Sequence, residues 1–188
     1  MPFAERFEAV LAAAKTGAEW AIADLYRELQ PGLLRYLRAQ APADGDDLAS
    51  EVWLQAAAGL ARFDGDEMAL RRWFFTIARR RLVDLRRREG RRRRALDALE
   101  SSLDAPGFAE PERHALDAGE TEAALARIAA LPPAQAEVVL LRVVGGLAVE
   151  DVAAIVGKSP GAVRVLQHRA LTRLARELAH GRRTGVTP

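Results

Sequence analysis

Arginine is the residue type whose spacing in this chain suggests chemistry most directly. The chain has 28 basic side chains, of which only Lys15 and Lys158 are lysines, and ten arginines fall between Arg79 and Arg94. Each planar guanidinium can donate two parallel hydrogen bonds, a geometry that suits phosphates and base edges. A GC-rich genome would favour arginine codons over lysine codons, but it would not cluster them. The cluster therefore predicts a nucleic-acid-binding face.

Three aromatic residues, Trp73, Phe74 and Phe75, come shortly before the arginine cluster. A basic helix face is usually only solvated. Aromatic rings beside arginines, however, suit single-stranded nucleic acid, because bases stack on the rings while the arginines neutralise phosphates. Helical periodicity favours a core position for Trp73 and Phe74. Phe75 is therefore predicted to be the exposed ring.

A second pattern lies between Val149 and Leu178 and predicts a helix-turn-helix. Ala153 is small where two helices approach, and Gly157 follows four residues later, where the turn needs positive φ. Ser159 can cap the next helix, and Pro160 suits its first position. An ordinary helical hairpin is the alternative. A helix-turn-helix usually places its second helix in the DNA major groove.

The outward face of this second helix follows from its period. Val163, Leu166, Ala170 and Leu174 are predicted to face inward. The opposite side would then contact base edges or phosphates, and the backbone N–H groups at the helix start would also favour phosphate. His168 has the alternative of a surface histidine without a role. The predicted DNA contacts are Lys158, Ser159, Gly161, Arg164, Val165, His168 and Arg169.

Apolar residues recur at helical spacing along most of the chain and no strand pattern stands out, which predicts an all-α fold. Residues Asp97 to Gly119 are acidic, contain Pro and Gly, and have weak periodicity, as expected of a flexible linker. The predicted organisation is two small helical domains, 1–94 and 121–180, joined by a linker at 95–120 and followed by a disordered tail at 181–188. The predicted helices are Phe3–Ala14, one bent or two helices over Trp20–Leu37, Asp46–Leu60, Leu70–Arg88, Thr121–Leu131, Ala134–Val144 and the helix-turn-helix pair.

Catalysis and metal binding have little support in these residues. The chain has no cysteine, its three histidines share no ligand spacing, and no nucleophile triad or glycine-rich phosphate loop is present. Asp46, Asp47 and Glu51 could be metal ligands or a general acid–base pair, but a role in the first turn of a helix is favoured. We therefore expect no enzyme activity, no cofactor and no metal. The lack of a long apolar run or of a signal-peptide layout predicts a cytoplasmic protein without membrane insertion.

Three ordered blocks of this sequence resemble the extracytoplasmic-function group of bacterial sigma factors. They are DGDDLASEVWLQAAAGLARF, RRWFFTIARRRLVDLRRR and LPPAQAEVVLLRVVGGLAVEDVAAIVGKSPGAVRVLQHRALTRL. The resemblance covers about residues 20–95 and 120–178. It implies a first domain that melts and recognises the minus-ten promoter element, and a second that recognises the minus-35 element. The short linker in place of a middle domain also fits this group.

The resemblance also implies partners and site residues. Core RNA polymerase would bind through its β′ clamp helices and β flap, and the segment Leu60–Leu70 would take up a flipped minus-ten base. An anti-sigma factor is expected as the regulator, and no small-molecule substrate is expected. The implied polymerase contacts are Asp46, Asp47, Leu48, Glu51 and Trp53. The implied minus-ten contacts are Arg62, Phe63, Asp64, Trp73, Phe75, Arg79, Arg80, Asp84 and Arg87.

The sequence departs from the family pattern at several positions. Arg80 stands where asparagine is frequent and Ser50 where glutamine is frequent, and the Val165–His168 run differs from that of many members. The promoter sequence therefore cannot be transferred from relatives. Two alternatives remain: a stand-alone helix-turn-helix regulator whose N-terminal half senses a signal or dimerises, and, with far less support, an enzyme carrying a DNA-binding domain.

Overall fold

The computed structural model describes residues 2–100 and 119–184. Those ranges contain eight α-helices and no β-strand, so the predicted all-α fold is confirmed. The helices are α1 (Phe3–Lys15), α2 (Glu19–Gln40), α3 (Gly45–Leu60), α4 (Glu67–Glu100), α5 (Glu120–Ala129), α6 (Pro133–Val143), α7 (Val149–Val156) and α8 (Pro160–Thr184).

The N-terminal module consists of α1 to α4, with α2 packed against α1, α3 and α4. The segment that the sequence left open as one or two helices is the single helix α2, which contains Pro31. Aromatic rings link the helices: Trp53 of α3 lies 4.8 Å from Phe74 of α4, and Tyr36 of α2 lies 5.6 Å from Phe75, between ring centroids. These contacts fix the position of α4, which carries the arginine cluster.

The C-terminal module consists of α5 to α8 and contains the predicted helix-turn-helix. Gly157 follows α7 with φ +68°, a left-handed conformation that side chains other than glycine adopt at a cost. The Ser159 Oγ accepts a hydrogen bond from the Ala162 backbone N–H at 3.2 Å, as predicted for an N-cap. Val163 and Ala170 are fully buried, so α8 packs on α6 and α7 in the predicted orientation.

The two modules pack directly on each other. Helix α2 contacts α5 and α6, and α4 contacts α7. Gly32 of α2 makes a close approach possible, because a Cβ atom there would lie 3.0 Å from the carbonyl oxygen of Val144. The buried apolar side chains of both modules form one continuous cluster, although the sequence predicted two separate small domains.

Two helices run further than predicted. Helix α4 continues to Glu100, past Arg88 and past the domain boundary expected at residue 94, because arginine, alanine and leucine are good helix formers that outweigh Gly90. Helix α8 continues to Thr184, into the predicted tail. Most of the acidic linker with His114 (101–118) and the last residues (185–188) lie outside the described residues. Among the described helices, none is long and apolar enough to cross a membrane.

Candidate nucleic-acid interface

The connection between α3 and α4 forms one wall of an open cleft. The ring of Phe63 lies 5.3 Å from that of Trp73, with 36° between the ring planes, and both side chains are half-buried. Arg62 and Asp64 flank Phe63 and are exposed. The sequence did not predict Asp66 as the cap of α4, although its Oδ1 accepts the Ala69 backbone N–H at 2.7 Å. The pair of rings therefore sits on a capped helix start, with charged groups on either side.

The arginines of α4 divide into two groups. Some connect α4 to other helices: Arg79 pairs with Glu137 at 2.9 Å, and Arg81 donates to Gln55 at 3.1 Å. The others have exposed side chains, although Arg72 also pairs with Asp151 of α7 and Arg86 also donates to Gln40 of α2. Arg87 is loosely paired to Asp84 at 3.8 Å. The exposed group is Arg72, Arg80, Arg86, Arg87, Arg88, Arg91, Arg92, Arg93 and Arg94. This exposed stripe, which we call the α4 arginine stripe, continues away from the cleft.

The prediction that Phe75 is exposed is wrong, and with it the implied DNA contact of that ring. Phe75 is only 1% exposed and packs edge-on against Tyr36. The reason is that α2 and α3 both pack on α4, which widens its buried face beyond one apolar stripe. Trp73 lies at the margin of that face and remains half-buried. The ring available beside Trp73 is therefore that of Phe63.

The acidic surface of α3 presents some of the predicted polymerase contacts and buries another. Asp46, Asp47 and Glu51 lie at the surface, and Asp46 accepts a hydrogen bond from Arg38 at 2.7 Å. No side-chain hydrogen bond caps the start of α3, so the first-turn acids favour this helix end through the helix dipole and not as caps. Leu48 is 5% exposed and belongs to the core, because it lies on the face that packs against α2 and α4. A direct surface contact by Leu48 is therefore excluded.

Trp53 is half-buried and held from two sides. Its indole N–H donates to the Gln30 side-chain oxygen at 2.6 Å, and its ring lies 5.1 Å from that of Tyr26. The neighbouring Leu54, which the sequence reasoning missed, is 74% exposed. The signal was present, because Leu54 does not share the periodicity of Leu48 and the other core positions of α3. An exposed leucine beside acidic groups is a candidate contact residue.

The residues exposed on α8 are the ones that the helical period predicted to face outward. Arg164, Val165, His168 and Arg169 are exposed, whereas Gln167 is half-buried. Lys158, Ser159 and Gly161 are exposed at the start of the helix. The guanidinium of Arg164 donates to the carboxylate of Glu150 at 2.8 Å. Among the described residues, no group of acidic residues and histidines has the arrangement of a metal site.

Comparison with known protein families matches both modules. The family model for sigma-70 region 2 matches residues 25–92, and the model for sigma-70 region 4 matches residues 121–174. These two regions contain the ring-lined cleft with the α4 arginine stripe, and the helix-turn-helix. The fold and the site thus define a two-module DNA-binding protein of the sigma-70 class.

Relatives of known function specify the group. The chain is 35% identical to the ECF RNA polymerase sigma factor SigD of Mycobacterium tuberculosis, over 93% of this chain and 84% of that one. It is also 35% identical to the ECF RNA polymerase sigma factor ShbA of Streptomyces griseus, over 80% of this chain and 84% of that one. The chain belongs to the extracytoplasmic-function (ECF) group of sigma-70 factors, which are DNA-binding transcription initiation factors.

Solved structures share the fold. The sigma factor RpoE of Bartonella quintana, solved in complex with the anti-sigma factor NepR, matches with a TM-score of 0.63 at 24% identity, over 83% of this chain and 97% of that one. CnrH, solved in complex with the cytosolic domain of CnrY, matches with a TM-score of 0.61 at 22% identity, over 92% and 96%. At these identities the likeness concerns the fold alone.

Proposed function

We propose that this chain binds core RNA polymerase and directs it to promoters through three surfaces. The cleft with the α4 arginine stripe binds the minus-ten element, and the outward face of α8 binds the minus-35 element. The acidic face of α3 binds polymerase. The observation that carries the proposal is the ring pair of Phe63 and Trp73 at one end of the exposed arginines of α4. Aromatic rings next to exposed cations suit unpaired DNA, because bases stack on the rings and the cations neutralise phosphates.

At the minus-ten element, an unpaired base enters the cleft. Flipping a base costs a few kcal/mol of stacking and pairing, and contact with Phe63 and Trp73 offsets that cost. Arg62 and Asp64 are exposed beside the rings and can hydrogen-bond the edge of the base. Arg80 and Arg87 neutralise phosphates along the strand, and Asp84, exposed between them, limits how many phosphates the stripe can bind.

At the minus-35 element, α8 enters the major groove by its N-terminal half. Arg164, His168 and Arg169 then reach base edges or phosphates, and the exposed Val165 can contact a thymine methyl group. The backbone N–H groups near Lys158 and Gly161 meet a phosphate at the positive end of the helix dipole. Ser159 keeps its oxygen in the N-cap hydrogen bond, so we assign it to positioning of the helix.

Polymerase docks on α3. Asp47 and Glu51 supply charge, and Leu54, one turn after Glu51, supplies an exposed apolar contact. Trp53 is a positioning residue, since its bond to Gln30 and its contact with Phe74 orient α3 relative to α2 and α4. Asp46 is paired with Arg38, and Glu51 is paired with Arg81 at 3.4 Å, so both contribute less free charge than Asp47. The β′ clamp helices are the proposed partner for this face, and the β flap is the proposed partner of the C-terminal module.

The remaining expectations follow from this role. The protein performs no covalent chemistry, needs no cofactor and acts in the cytoplasm, where the polymerase is. The modules comprise about residues 1–94 and 121–180, although α4 itself extends beyond the first. Regulation by an anti-sigma factor is proposed on the basis of the relatives, because RpoE of Bartonella quintana was solved with one.

Run-off transcription with purified core polymerase on genomic fragments tests the proposal. Discrete start sites that depend on the added chain are expected. Charge reversal by Asp47→Arg with Glu51→Arg should abolish them without loss of helical content. A stand-alone regulator would instead bind duplex operator DNA without polymerase and give no starts, and that result would refute the proposal.

A further inference from the structure

A cavity in the N-terminal module is distinct from the ring-lined cleft, although Trp73 belongs to the walls of both. It has a volume of about 260 Å³ and is lined by residues of α1, α2, α3 and α4. Its walls are largely apolar. Among the described residues that line it, Lys15 at the end of α1 is the only charged one. An apolar space beside a single cation has the character of a ligand site.

Small side chains leave this space between the helices. Four alanines line the cavity at positions where longer apolar side chains would fill it. They are Ala14, Ala56, Ala57 and Ala61. Atoms around unfilled space lose dispersion contacts, so such a space lowers the stability of a fold. An apolar molecule of matching size would restore those contacts, and the alanines therefore favour its binding.

Two indole rings in the cavity wall are held in fixed positions. The Trp53 N–H donates to the Gln30 side-chain oxygen at 2.6 Å, and the Trp53 ring lies 4.8 Å from that of Phe74. Trp73 lies against Gly59, where a Cβ atom would be only 2.7 Å from the indole carbon Cζ2. Because neighbouring groups orient both rings, an apolar ligand would meet a wall that is already formed.

Lys15 gives the cavity its charge preference. Its side chain is half-buried and forms no ion pair or hydrogen bond with another residue of the described ranges. A carboxylate beside it would accept charge-assisted hydrogen bonds from the ammonium group, and these are stronger than hydrogen bonds between neutral groups. The described part of the lining contains no carboxylate that would repel such a ligand. Lys15 therefore favours a ligand with one anionic end.

The volume limits the size of the ligand. An engineered apolar cavity of about 150 Å³ takes up benzene, so about 260 Å³ holds an acyl chain of roughly eight to ten carbons. Exposed lining residues, among them Ile22 at 44% exposure and Ala57, border the opening through which such a chain would enter. A much longer chain would extend into solvent.

We infer that the cavity binds an apolar monocarboxylate of the medium-chain fatty acid class, with its chain against Trp53 and Trp73 and its carboxylate at Lys15. This inference goes beyond the proposed function and does not depend on it. It places a small-molecule site in the module that also carries the ring-lined cleft and the acidic face of α3.

The first test uses the full chain with Trp20→Phe, since Trp20 is 54% exposed and does not line the cavity. Trp53 and Trp73 are then the only indoles of the chain. The probe is decanoate with a bromine atom on its terminal carbon, because bromine quenches the fluorescence of an indole that it contacts. Below micelle-forming concentrations we expect saturable quenching that unbrominated decanoate reverses. Decanoate should also raise the midpoint of thermal unfolding.

The second test locates the ligand. Ala57→Phe should weaken decanoate binding about tenfold or more, because its ring takes the volume in which the acyl chain would bury apolar surface. Ala58→Phe is the matched control, since Ala58 is also an exposed alanine of α3 but does not line the cavity. Ala61→Leu repeats the test at a second lining position.

The third test concerns the anionic end of the ligand. Lys15→Met keeps an apolar stem but removes the charge, so decanoate affinity should fall about tenfold while the affinity for neutral decanol stays unchanged. Lys158→Met is the control, since Lys158 is the other lysine of the chain and lies between α7 and α8. An equal loss of both probes would mean that the Lys15 stem only covers apolar surface, and would refute the carboxylate preference.

Other outcomes would also overturn the inference. Quenching that rises without saturation, or equal decanoate binding by folded Ala57→Phe and Ala58→Phe, refutes the cavity as the binding site. If circular dichroism shows that Ala57→Phe loses helix content, Ala61→Leu decides in its place. Unchanged decanoate affinity in Lys15→Met refutes the position of the carboxylate. Failure of the chain to start transcription with core polymerase refutes the proposed function alone, because the binding tests use no polymerase.

Discussion

Arg164 and Glu150 form an ion pair across the helix-turn-helix, with Nη2 of the arginine 2.8 Å from Oε1 of the glutamate. Glu150 lies in the first turn of α7, and Arg164 lies on the outward face of α8. Both side chains are well exposed, so the pair adds little to folding stability. A carboxylate on a DNA-facing surface repels phosphates. We expect Glu150 instead to favour one orientation of the Arg164 guanidinium.

Glu150→Gln should therefore separate affinity from specificity. We expect binding of random duplex DNA to strengthen, because one negative charge is removed, while discrimination at the base pair contacted by Arg164 falls about threefold to tenfold. Binding of matched and mismatched minus-35 duplexes at fixed salt measures both effects. Glu177→Gln is the control, since that residue pairs with Arg173 within α8, one turn apart. Equal discrimination in the two variants would contradict the orienting role.

Leu54 and Leu48 should have opposite effects, although they lie on the same helix. Leu54→Ser should weaken core polymerase binding at least tenfold with little change in stability, because this side chain is already in water. Leu48→Ala should destabilise the fold by about 2–5 kcal/mol, as truncation of buried leucines does. Competition binding to core polymerase and denaturant unfolding make the comparison. Normal polymerase affinity for Leu54→Ser would exclude that residue from the docking surface.

Substitutions of Phe63 and Phe75 should likewise affect different properties, one promoter opening and the other stability. Phe75→Ala should cost about 3–5 kcal/mol of unfolding free energy, because the ring is buried against Tyr36. Phe63→Ala should cost less and should instead reduce promoter opening by holoenzyme, since this ring faces the cleft. Permanganate footprinting of the melted strand reports opening. Unimpaired opening in folded Phe63→Ala would remove this ring from the proposed base pocket.

Tyr36 is expected to limit stability at alkaline pH. Burial raises the pKa of its hydroxyl above the ordinary value near 10, with the Glu137 carboxylate as a smaller cause in the same direction. The folded state therefore keeps a proton that the unfolded state releases above pH 10, so stability falls as pH rises beyond that point.

Tyr36→Phe tests this directly. The hydroxyl has no hydrogen-bond partner among the described residues, so its removal should raise the unfolding free energy by about 1 kcal/mol at neutral pH. The alkaline decline should also become shallower. Thermal unfolding at pH 8 and pH 10.5 gives both values. A large loss of stability in Tyr36→Phe would indicate that the hydroxyl has a partner after all.

Local features of the sequence determined most of the helices and the whole of the helix-turn-helix. Gly157, Ser159 and Pro160 act within one turn of the chain, so their roles depend on nearby backbone and can be predicted from spacing. The burial of Val163 and Ala170 could be predicted from the 3.6-residue period for the same reason. The exposure of the outward face of α8 could be predicted because only one face of this helix is covered by other helices.

Tertiary structure alone decided the features that depend on two helices at once. Phe75 is buried because α2 as well as α3 covers α4, and no period within α4 indicates how many neighbours it has. The pairs of Arg79 with Glu137 and Arg72 with Asp151 join residues 58 and 79 positions apart. Such contacts depend on how two modules dock, and docking is set by the summed packing of surfaces such as Gly32 against Val144.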